Sequence, residues 1–528
     1  MSRRLELLTR SLGNSGSRGM PIRLPRPHIS CRLRLSSQSS SPSSSSSQWR
    51  PQRQLMTLAI ETSCDDTSVA IVEKDSQYGR TVAQIHFHKK VTSNNSDYQG
   101  VHPLISLQSH QQNLATLVSE AIECLPLQCD GSASAATGVG SKRLPDFISV
   151  TRGPGMRSNL FTGLDTAKGL AVAWQKPLVG VHHMQAHALT SRLVTALNAY
   201  RDLSVQRETA PDVISAATCD PSFPFLSILA SGGHTLLIHS ASLTDHRIMG
   251  STQDIAIGEC LDKIARVALP AEWLQTTKST MYGALLEAFA FPPSQSAESV
   301  GHSGNEQGHE RPLSATVVYT ARSHLDENCE EYDWSFMNHE EAVKKNATAW
   351  GWAINQPLTK SGGGNKINSL EMSFSGLMTA VERIVRYGMD PATRKLKLTE
   401  RAADDITLQE RQDIARETMR AAFEHVASRV VLGLQSLKDC SSSHPAVVMA
   451  GGVAANSFLR HILASTLCAN GYSNVELHFP PPYLCTDNAA MIGWAGLEMF
   501  DAGHTDPLSI RAIRKWPLDK LLDPVEDG

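Results

Sequence analysis

The chain has 528 residues, and its 49 Lys and Arg against 52 Asp and Glu give a formal net charge of −3. With 41% apolar and 19% charged residues it is typical of a globular protein, which excludes a wholly disordered chain. No stretch approaches the roughly 18 uninterrupted apolar residues of a membrane span, so the sequence does not predict an integral membrane protein. The lack of a basic excess argues against a phosphate-binding face along the whole chain.

The N-terminal segment differs in composition from the rest. Residues 1–55 contain ten Arg, no Lys, a single acid, Glu6, and the serine run Ser43–Ser47. A segment rich in Arg and Ser and poor in acids is typical of a mitochondrial or plastid transit peptide, although a disordered basic tail has the same composition. We predict a transit peptide, and removing its net charge of +9 takes the remaining chain from −3 to about −12.

Patterns of strand and helix alternate after this leader. Thr57–Ile60 and Val69–Val72 are apolar runs joined by a polar turn, and Phe225–Ala230 and Leu236–Ile238 repeat the arrangement. Two such hairpins, each opening one half of the protein, suggest an internal duplication. The alternation favours α/β layers, in which ligands bind at the carboxyl ends of strands. Further elements are predicted as strands at Phe147–Val150 and Ala446–Met449 and as helices at Gln108–Cys124, Leu160–Gln175, Gln412–Ser436 and Asn488–Phe500.

An acidic segment interrupts the second half. Residues 291–343 contain ten acids and two Arg, with Pro, Ser, Gly and His among them and few periodic apolar positions. This composition predicts an inserted, largely solvated loop. A functional acidic arm is the alternative.

Four glycine-containing turns are candidates for holding a ligand. They are Thr151–Gly155, Ser231–Thr235, Tyr282–Gly283 and Ala450–Asn456. Glycine lets the backbone approach a ligand closely and leaves N–H groups free for anions, but many glycine turns are only structural. The chain has neither the G-x-x-x-x-G-K-[ST] pattern of a P-loop nor a G-x-G-x-x-G dinucleotide fingerprint, so NAD is not predicted.

A histidine pair is the strongest candidate for a metal site. His183 and His187 are four residues apart, and on a helix both imidazoles would reach one ion, although such a pair also occurs incidentally. Met184 and Gln185 between them offer no general base, which disfavours a zincin protease. The best candidate for a third ligand is Asp487, for which a helix N-cap is the alternative.

Eight motifs occur in an order that resembles one family. They are Glu61–Asp65, Gly153–Gly155, His183–His187, Ser231–Thr235, Gly258–Lys263, Ser373–Gly376, Ala450–Asn456 and Cys485–Asp487. Together they resemble the universal tRNA threonylcarbamoyladenosine-modification family, formerly called glycoproteases. The resemblance runs from about Thr57 to Arg514, apart from the insertions. Because of the basic leader, the chain most resembles the mitochondrial branch of the family.

The resemblance implies an actin/sugar-kinase/Hsp70-like α/β fold with two duplicated lobes and a ligand in the cleft between them. The expected N-terminal lobe is 56–200, completed by 488–528, and the C-terminal lobe is 222–487 with a disordered acidic insertion at about 291–343. The implied reaction transfers the threonylcarbamoyl group from threonylcarbamoyl-AMP to N6 of adenosine 37 in tRNAs that read ANN codons, and it releases AMP. We expect a homodimer in the mitochondrial matrix with no membrane contact. A separate adenylate-forming enzyme would supply its threonylcarbamoyl-AMP.

The resemblance also implies roles for single residues. His183, His187 and Asp487 match the ligands of one divalent metal ion, iron or zinc. No dedicated general base is expected. The residues that match substrate contacts are Leu229, Ala230, Ser231, Gly232, Gly233, Asp262, Gly283 and Asn456. Asp262 would contact the ribose, Gly283 would lie under the nucleotide, and Asn456 would lie beside the adenine.

The chain departs from the family pattern in several places. Asp254-Ile255 stands where two adjacent Asp are usual, Met378 replaces a Lys, and Leu104 and Gln108 lie where bacterial relatives have Glu and Arg. A longer stretch than usual also precedes Gly283. Three alternative functions remain open: a non-catalytic scaffold, a metallopeptidase and an ATP phosphotransferase. Our hypothesis for tRNA binding is a basic patch of Lys168, Arg192, Arg383, Arg386, Lys395 and Lys397.

Overall fold

The computed structural model describes most of the chain after the leader. The described residues are 54–77, 79–98, 100–128, 141–205, 219–276, 281–292, 318–327, 332–336, 348–359, 364–437 and 446–523. The predicted leader lies outside them except for its last two residues, and Leu55 already begins the first strand.

Five strands form the first sheet, in the order β3-β2-β1-β4-β5. The hairpin of β1 and β2 is antiparallel and pairs Ile60 with Val69, as the sequence predicted, and β3 extends it. Strands β4 and β5 add on the other side of β1, and both run parallel to it. The strands are β1 Leu55–Glu61, β2 Asp66–Gln77, β3 Arg80–Thr92, β4 Phe147–Gly153 and β5 Leu178–His182.

The second sheet repeats this topology. Its order is β8-β7-β6-β12-β13-β9, in which β6, β7 and β8 are antiparallel and β12 and β13 follow β6 in parallel. The predicted duplication and the α/β fold with two related lobes are therefore confirmed. The strands are β6 Phe225–Ala230, β7 Thr235–Ser240, β8 His246–Ser251, β9 Val318–Thr320, β12 Ala446–Ala450 and β13 Glu476–His478, and a separate hairpin contains β10 Met389–Asp390 and β11 Lys395–Leu396.

Helices cover both sheets. In the described residues they are α1 Pro103–Glu123, α2 Arg157–Trp174, α3 His183–Val205, α4 Ile257–Ala268, α5 Ala271–Leu274, α6 Gly283–Ala290, α7 Ala321–Glu327, α8 Ser375–Tyr387, α9 Leu408–Leu437, α10 Ser457–Ala469, α11 Pro482–Cys485 and α12 Ala489–Asp501. None of these described helices has both the length and the apolar character that crossing a bilayer requires.

The two faces of the first sheet enclose separate cores because side chains alternate along a strand. Leu58 packs towards α1 and α2, in one cluster with Leu164. The next residue, Ala59, faces α3 and α12, in a cluster with Trp494. Both clusters are buried, which accounts for the continuous apolar runs of β1 and β2.

Helix α3 lies between the two sheets. Leu189 of α3 belongs to the same buried cluster as Val448 of β12 and Phe225 of β6. The opposite face of the second sheet packs on the long helix α9, where Ile228 and Val430 share the largest core. The first residue of α3, His183, therefore stands where the two halves of the molecule meet.

Part of the acidic segment 291–343 is not a solvated loop. Val318–Thr320 form β9, which pairs antiparallel with β13, and α7 follows directly. Phe291 and Tyr332 pack against Phe458, with ring centroids 4.8 Å and 5.0 Å apart, respectively. The prediction is wrong for these residues, and β9, with three residues, is too short to show a periodic pattern. Most of the remaining segment lies outside the described residues.

Candidate metal and substrate site

The three predicted metal ligands converge. Helix α3 begins at His183 directly after β5, and the four-residue spacing places His187 on the same face one turn later. Asp487 precedes α12, and its Oδ1 is 3.4 Å from His183 Nε2 and 3.1 Å from His187 Nε2. The potential ligand atoms of the three residues all lie within 4.8 Å of one another.

Asp487 does not cap the helix that follows it. The N-cap of α12 is Asn488, whose Oδ1 accepts the Met491 N–H at 3.0 Å. The helix-cap alternative for Asp487 is therefore wrong, and its carboxylate is engaged by the histidines. Although burial opposes ionisation, His183 and His187 hold the pKa of Asp487 well below its usual value.

A buried carboxylate lies behind His183. Glu61 has no exposed surface and accepts the Ser63 N–H at 2.5 Å and the hydroxyl of Thr151. Its Oε2 is 3.4 Å from His183 Nδ1, so it holds the ring edge that faces away from Asp487. Burial alone would lower the pKa of His183, but Asp487 and Glu61 together raise it to about 10. Sequence reasoning gave Glu61 no role, because its contact with His183 depends on the fold.

The donor set fits a transition metal. Two imidazole nitrogens and one carboxylate oxygen are typical ligands of zinc and of non-haem iron, and three protein ligands leave a position for substrate. Burial lowers the pKa of His187. Among the described residues, Nδ1 of His187 has no hydrogen-bond partner.

The predicted substrate turn follows β6. Leu229 and Ala230 are buried at the end of the strand, whereas Gly232 and Gly233 are exposed. The Ser231 hydroxyl accepts the His234 N–H at 3.0 Å and closes the turn. Leu229 and Ala450 share a buried cluster with Met184 of α3, so the turn after β6 begins beside the histidine pair.

A second glycine turn lies next to the first. Strands β6 and β12 are paired, with Leu229 opposite Ala450, so the turns that follow them leave the same edge of the sheet. Gly451 has φ +90°, and a Cβ there would clash with the carbonyl oxygen of Ala230. Only glycine allows this close approach of the two turns.

The structure brings Asp262 and Gly283 together although they are 21 residues apart in sequence. Asp262 Oδ1 accepts the N–H of Tyr282 at 2.7 Å and that of Gly283 at 3.2 Å. Burial raises the pKa of Asp262 to about 6. A Cβ on Gly283 would meet no atom within 4 Å, so the space above it is open.

Asn456 and a residue that sequence reasoning missed meet at the start of α10. Asn456 is the N-cap of this helix, and its Oδ1 accepts the Leu459 N–H at 3.0 Å. Glu287 Oε1 accepts the N–H groups of Ser457 at 2.8 Å and Phe458 at 3.2 Å. Its position four residues after Gly283, one turn along α6, is the sequence signal that could have identified it.

Two further candidates have structural roles. A Cβ on Gly155 would lie 2.7 Å from the carbonyl oxygen of Ser63, so this turn packs closely against the loop after β1. Arg192 is not available to tRNA, although the sequence hypothesis placed it in a tRNA-binding basic patch. Its Nε donates to Glu498 at 2.8 Å, and its Nη1 donates to the carbonyl oxygens of Cys219 and Pro221.

The chain matches known proteins over most of its length. The family model TsaD, tRNA N6-adenosine threonylcarbamoyltransferase, matches residues 85–201, 212–362 and 337–494. The mitochondrial tRNA N6-adenosine threonylcarbamoyltransferase of Schizosaccharomyces pombe is 33% identical over 477 residues, which are 89% of this chain and 88% of that protein. The tRNA N6-adenosine threonylcarbamoyltransferase of Brucella anthropi is 30% identical over 474 residues, which are 89% and 96%.

Among solved structures, component A of the Acidaminococcus fermentans (R)-2-hydroxyglutaryl-CoA dehydratase covers 84% of this chain and 97% of its own, at 14% identity and a TM-score of 0.34. The family model covers more than half of the chain, and both sequence relatives align over most of its length. The resemblance drawn from the motifs is therefore confirmed, and the chain belongs to the tRNA N6-adenosine threonylcarbamoyltransferase family.

Proposed function

We propose that the chain transfers the threonylcarbamoyl group from threonylcarbamoyl-AMP to N6 of adenosine 37 in mitochondrial tRNAs that read ANN codons. In this reaction a bond forms between N6 and the carbamoyl carbon, and the bond from that carbon to the phosphate oxygen breaks. The products are N6-threonylcarbamoyladenosine and AMP. The N6 proton passes to the departing phosphate or to water, because we assign no side chain as general base.

The observation that carries the proposal is the meeting of His183, His187 and Asp487 beside the turn after β6. These three residues would hold one zinc or iron ion in each subunit. The chemistry that a bound ion supplies is polarisation of the carbamoyl carbonyl as a Lewis acid. Glu61 orients the His183 ring from behind, which leaves Nε2 directed towards Asp487.

The second lobe would hold the adenylate. The turn at Ser231, Gly232 and Gly233 offers the backbone N–H groups of its two exposed glycines to the anionic part of the adenylate. Asp262 uses Oδ1 for two backbone N–H groups, which leaves Oδ2 to accept a ribose hydroxyl. The open space above Gly283 leaves room for the nucleotide, with Asn456 on the adenine side.

The cellular setting extends the proposal. The Schizosaccharomyces pombe relative is named as mitochondrial, and residues 1–55 have the composition of a transit peptide. We place the mature chain in the mitochondrial matrix, as a homodimer that receives threonylcarbamoyl-AMP from a separate adenylate-forming enzyme.

The test is transfer of radiolabelled threonine to a tRNA transcript with adenosine at position 37. The reaction contains the purified chain, ATP, bicarbonate and an adenylate-forming enzyme, and a transcript with guanosine at position 37 is the control. We expect label in the first transcript and its loss with His183→Ala. Label that survives this substitution would remove the metal from the proposal. No label from folded, metal-loaded protein would favour the non-catalytic scaffold.

A further inference from the structure

Lys90 makes two hydrogen bonds, one of which reaches the segment carrying Asp487. It lies near the end of β3, where its ammonium donates to Asp66 Oδ2 at 3.0 Å and to Thr486 Oγ1 at 2.9 Å. The preceding residue, Lys89, pairs instead with Glu120 of α1 at 2.8 Å. Adjacent strand residues point to opposite faces, so Lys90, unlike Lys89, faces this segment.

The anchor on the strand side is well defined. Asp66 begins β2 opposite Thr92 of β3, and Ser68 pairs with Lys90 in the same register. The Thr92 hydroxyl donates to Asp66 Oδ1, so both oxygens of this carboxylate are occupied. The side chain of Asp66 is 5% exposed and that of Lys90 is 27% exposed, which limits the screening of their ion pair by solvent.

Thr486 lies between the two halves of the site. It directly precedes Asp487, and its Cγ2 is 3.6 Å from the position of a Cβ on Gly452, in the turn after β12. On the other side, the Asn488 amide donates to the Thr486 carbonyl at 2.8 Å, and Ser68 accepts the N–H of Ala489 at 3.0 Å. The hydroxyl of Thr486 is thus the point at which Lys90 fixes this segment from the β3 side.

We propose that Lys90 is a positioning residue for Asp487: its ammonium clamps Thr486 to Asp66 and so fixes the carboxylate against the histidine pair. The proposal rests on the proposed function only in taking Asp487 as a metal ligand. Removing a side chain that hydrogen-bonds a metal ligand typically changes metal affinity by about 10–100-fold, and we expect a loss within this range for Lys90, which holds the residue next to the ligand. Lys90 acts on the backbone that carries the ligand and does not touch the ion.

The experiment measures the affinity of the purified full chain for Zn²⁺ by competition with a chromophoric chelator. We expect Lys90→Met and Thr486→Val each to weaken Zn²⁺ binding by about 10–100-fold. Thr486→Ser keeps the hydroxyl and Lys89→Met removes the neighbouring ammonium, so both should bind Zn²⁺ like the wild type. Circular dichroism checks that each variant is folded. If Lys90→Met does not fold, Thr486→Val provides the test.

The double variant Lys90→Met/Thr486→Val separates one shared contact from two independent effects. If both residues act through the single hydrogen bond, the double variant loses no more affinity than the weaker-binding single variant. Unchanged Zn²⁺ affinity in folded Lys90→Met, or an equal loss in Thr486→Ser, would overturn the proposal. So would a wild-type chain that labels tRNA but binds neither Zn²⁺ nor Fe²⁺. A wild type that fails to label tRNA while the Zn²⁺ series behaves as expected would reject the proposed function alone.

Discussion

Asp262 is a carboxyl group whose ionisation falls within an accessible pH range. Burial raises its pKa from the ordinary value to about 6, so the proton is bound below that pH and the acceptor is ionised above it. If Oδ2 accepts a ribose hydroxyl, nucleoside binding needs the ionised form. We therefore predict that affinity for adenosine falls about tenfold for each pH unit below about 6.

Isothermal titration of the chain with adenosine, between about pH 5 and about pH 8, measures this dependence. Adenosine is preferred to AMP because it has no phosphate that titrates in the same range. The matched control is Asp262→Asn, which keeps an acceptor for the two backbone N–H groups but cannot ionise, and its affinity should show no step near pH 6. A flat profile for the unmodified chain would contradict the assigned contact.

The residues of the site divide into those that spacing reveals and those that only the fold brings together. His183 and His187 could be paired from sequence because one helical turn separates them. The ring of His183 also contacts Glu61, 122 residues away. Lys90 reaches Thr486 across 396 residues. No local periodicity encodes contacts of this length, so the residues that orient the ligands could not be predicted.

At the scale of elements, a carboxylate that is distant in sequence caps the N-terminus of helix α8. Asp254, in the loop between β8 and α4, accepts the hydroxyls of Ser373 at 2.6 Å and Ser375 at 2.5 Å, and its other oxygen accepts the Phe374 N–H at 2.9 Å. Burial would raise the pKa of Asp254, but these hydrogen bonds lower it. Phe374, the N-cap residue, supplies no side-chain bond of its own. A single Asp, more than a hundred residues away in sequence, thus caps α8.

Asp254→Ala should therefore lower the free energy of unfolding by about 1 kcal/mol, the usual cost of losing a helix cap. Asp254→Asn keeps the size and one of the two acceptor oxygens and should lose less. Urea denaturation followed by circular dichroism measures both changes against the wild type. Equal stability of the Ala variant and the wild type would mean that water replaces the carboxylate without loss.

Elements with a buried apolar stripe could be predicted, and those without one could not. The helices α1, α2, α9 and α12 and the hairpin of β1 and β2 all appear where periodicity placed them. Strand β3 was missed because its sequence, RTVAQIHFHKKVT, has His and Lys at successive positions and is mostly half-buried. It exists because β2 offers it a complete antiparallel partner, which is tertiary information.

At the scale of the whole molecule, duplication places the site between two related sheets. The histidines come from α3, which follows the last strand of the first sheet, and Asp487 comes from the connection between the second sheet and α12. Helix α12 returns to pack on the first sheet, so the chain crosses between the halves at the candidate metal site. The fold class could be predicted from the two hairpins together with the motifs, whereas this crossing needed the structure.

Metal binding should consequently stabilise the molecule and not only complete the site, because one ion would tie the start of α3 to the start of α12. A ligand that binds only the folded state, at 100 times its dissociation constant, raises the free energy of unfolding by about 2.7 kcal/mol. We predict a corresponding rise in Tm when Zn²⁺ is added to chelator-treated protein, measured by scanning calorimetry. His187→Ala should abolish the rise, because it removes a ligand.

His239→Ala is the matched control for that measurement. His239 lies on β7 and is half-buried, and it is not among the three converging ligands, so its loss should leave the Zn²⁺-dependent rise in Tm intact. If His187→Ala still responds to Zn²⁺ as strongly as the wild type, the ion binds elsewhere. The metal would then not tie the two halves of the molecule together, and α3 and α12 would be held only by their packing between the sheets.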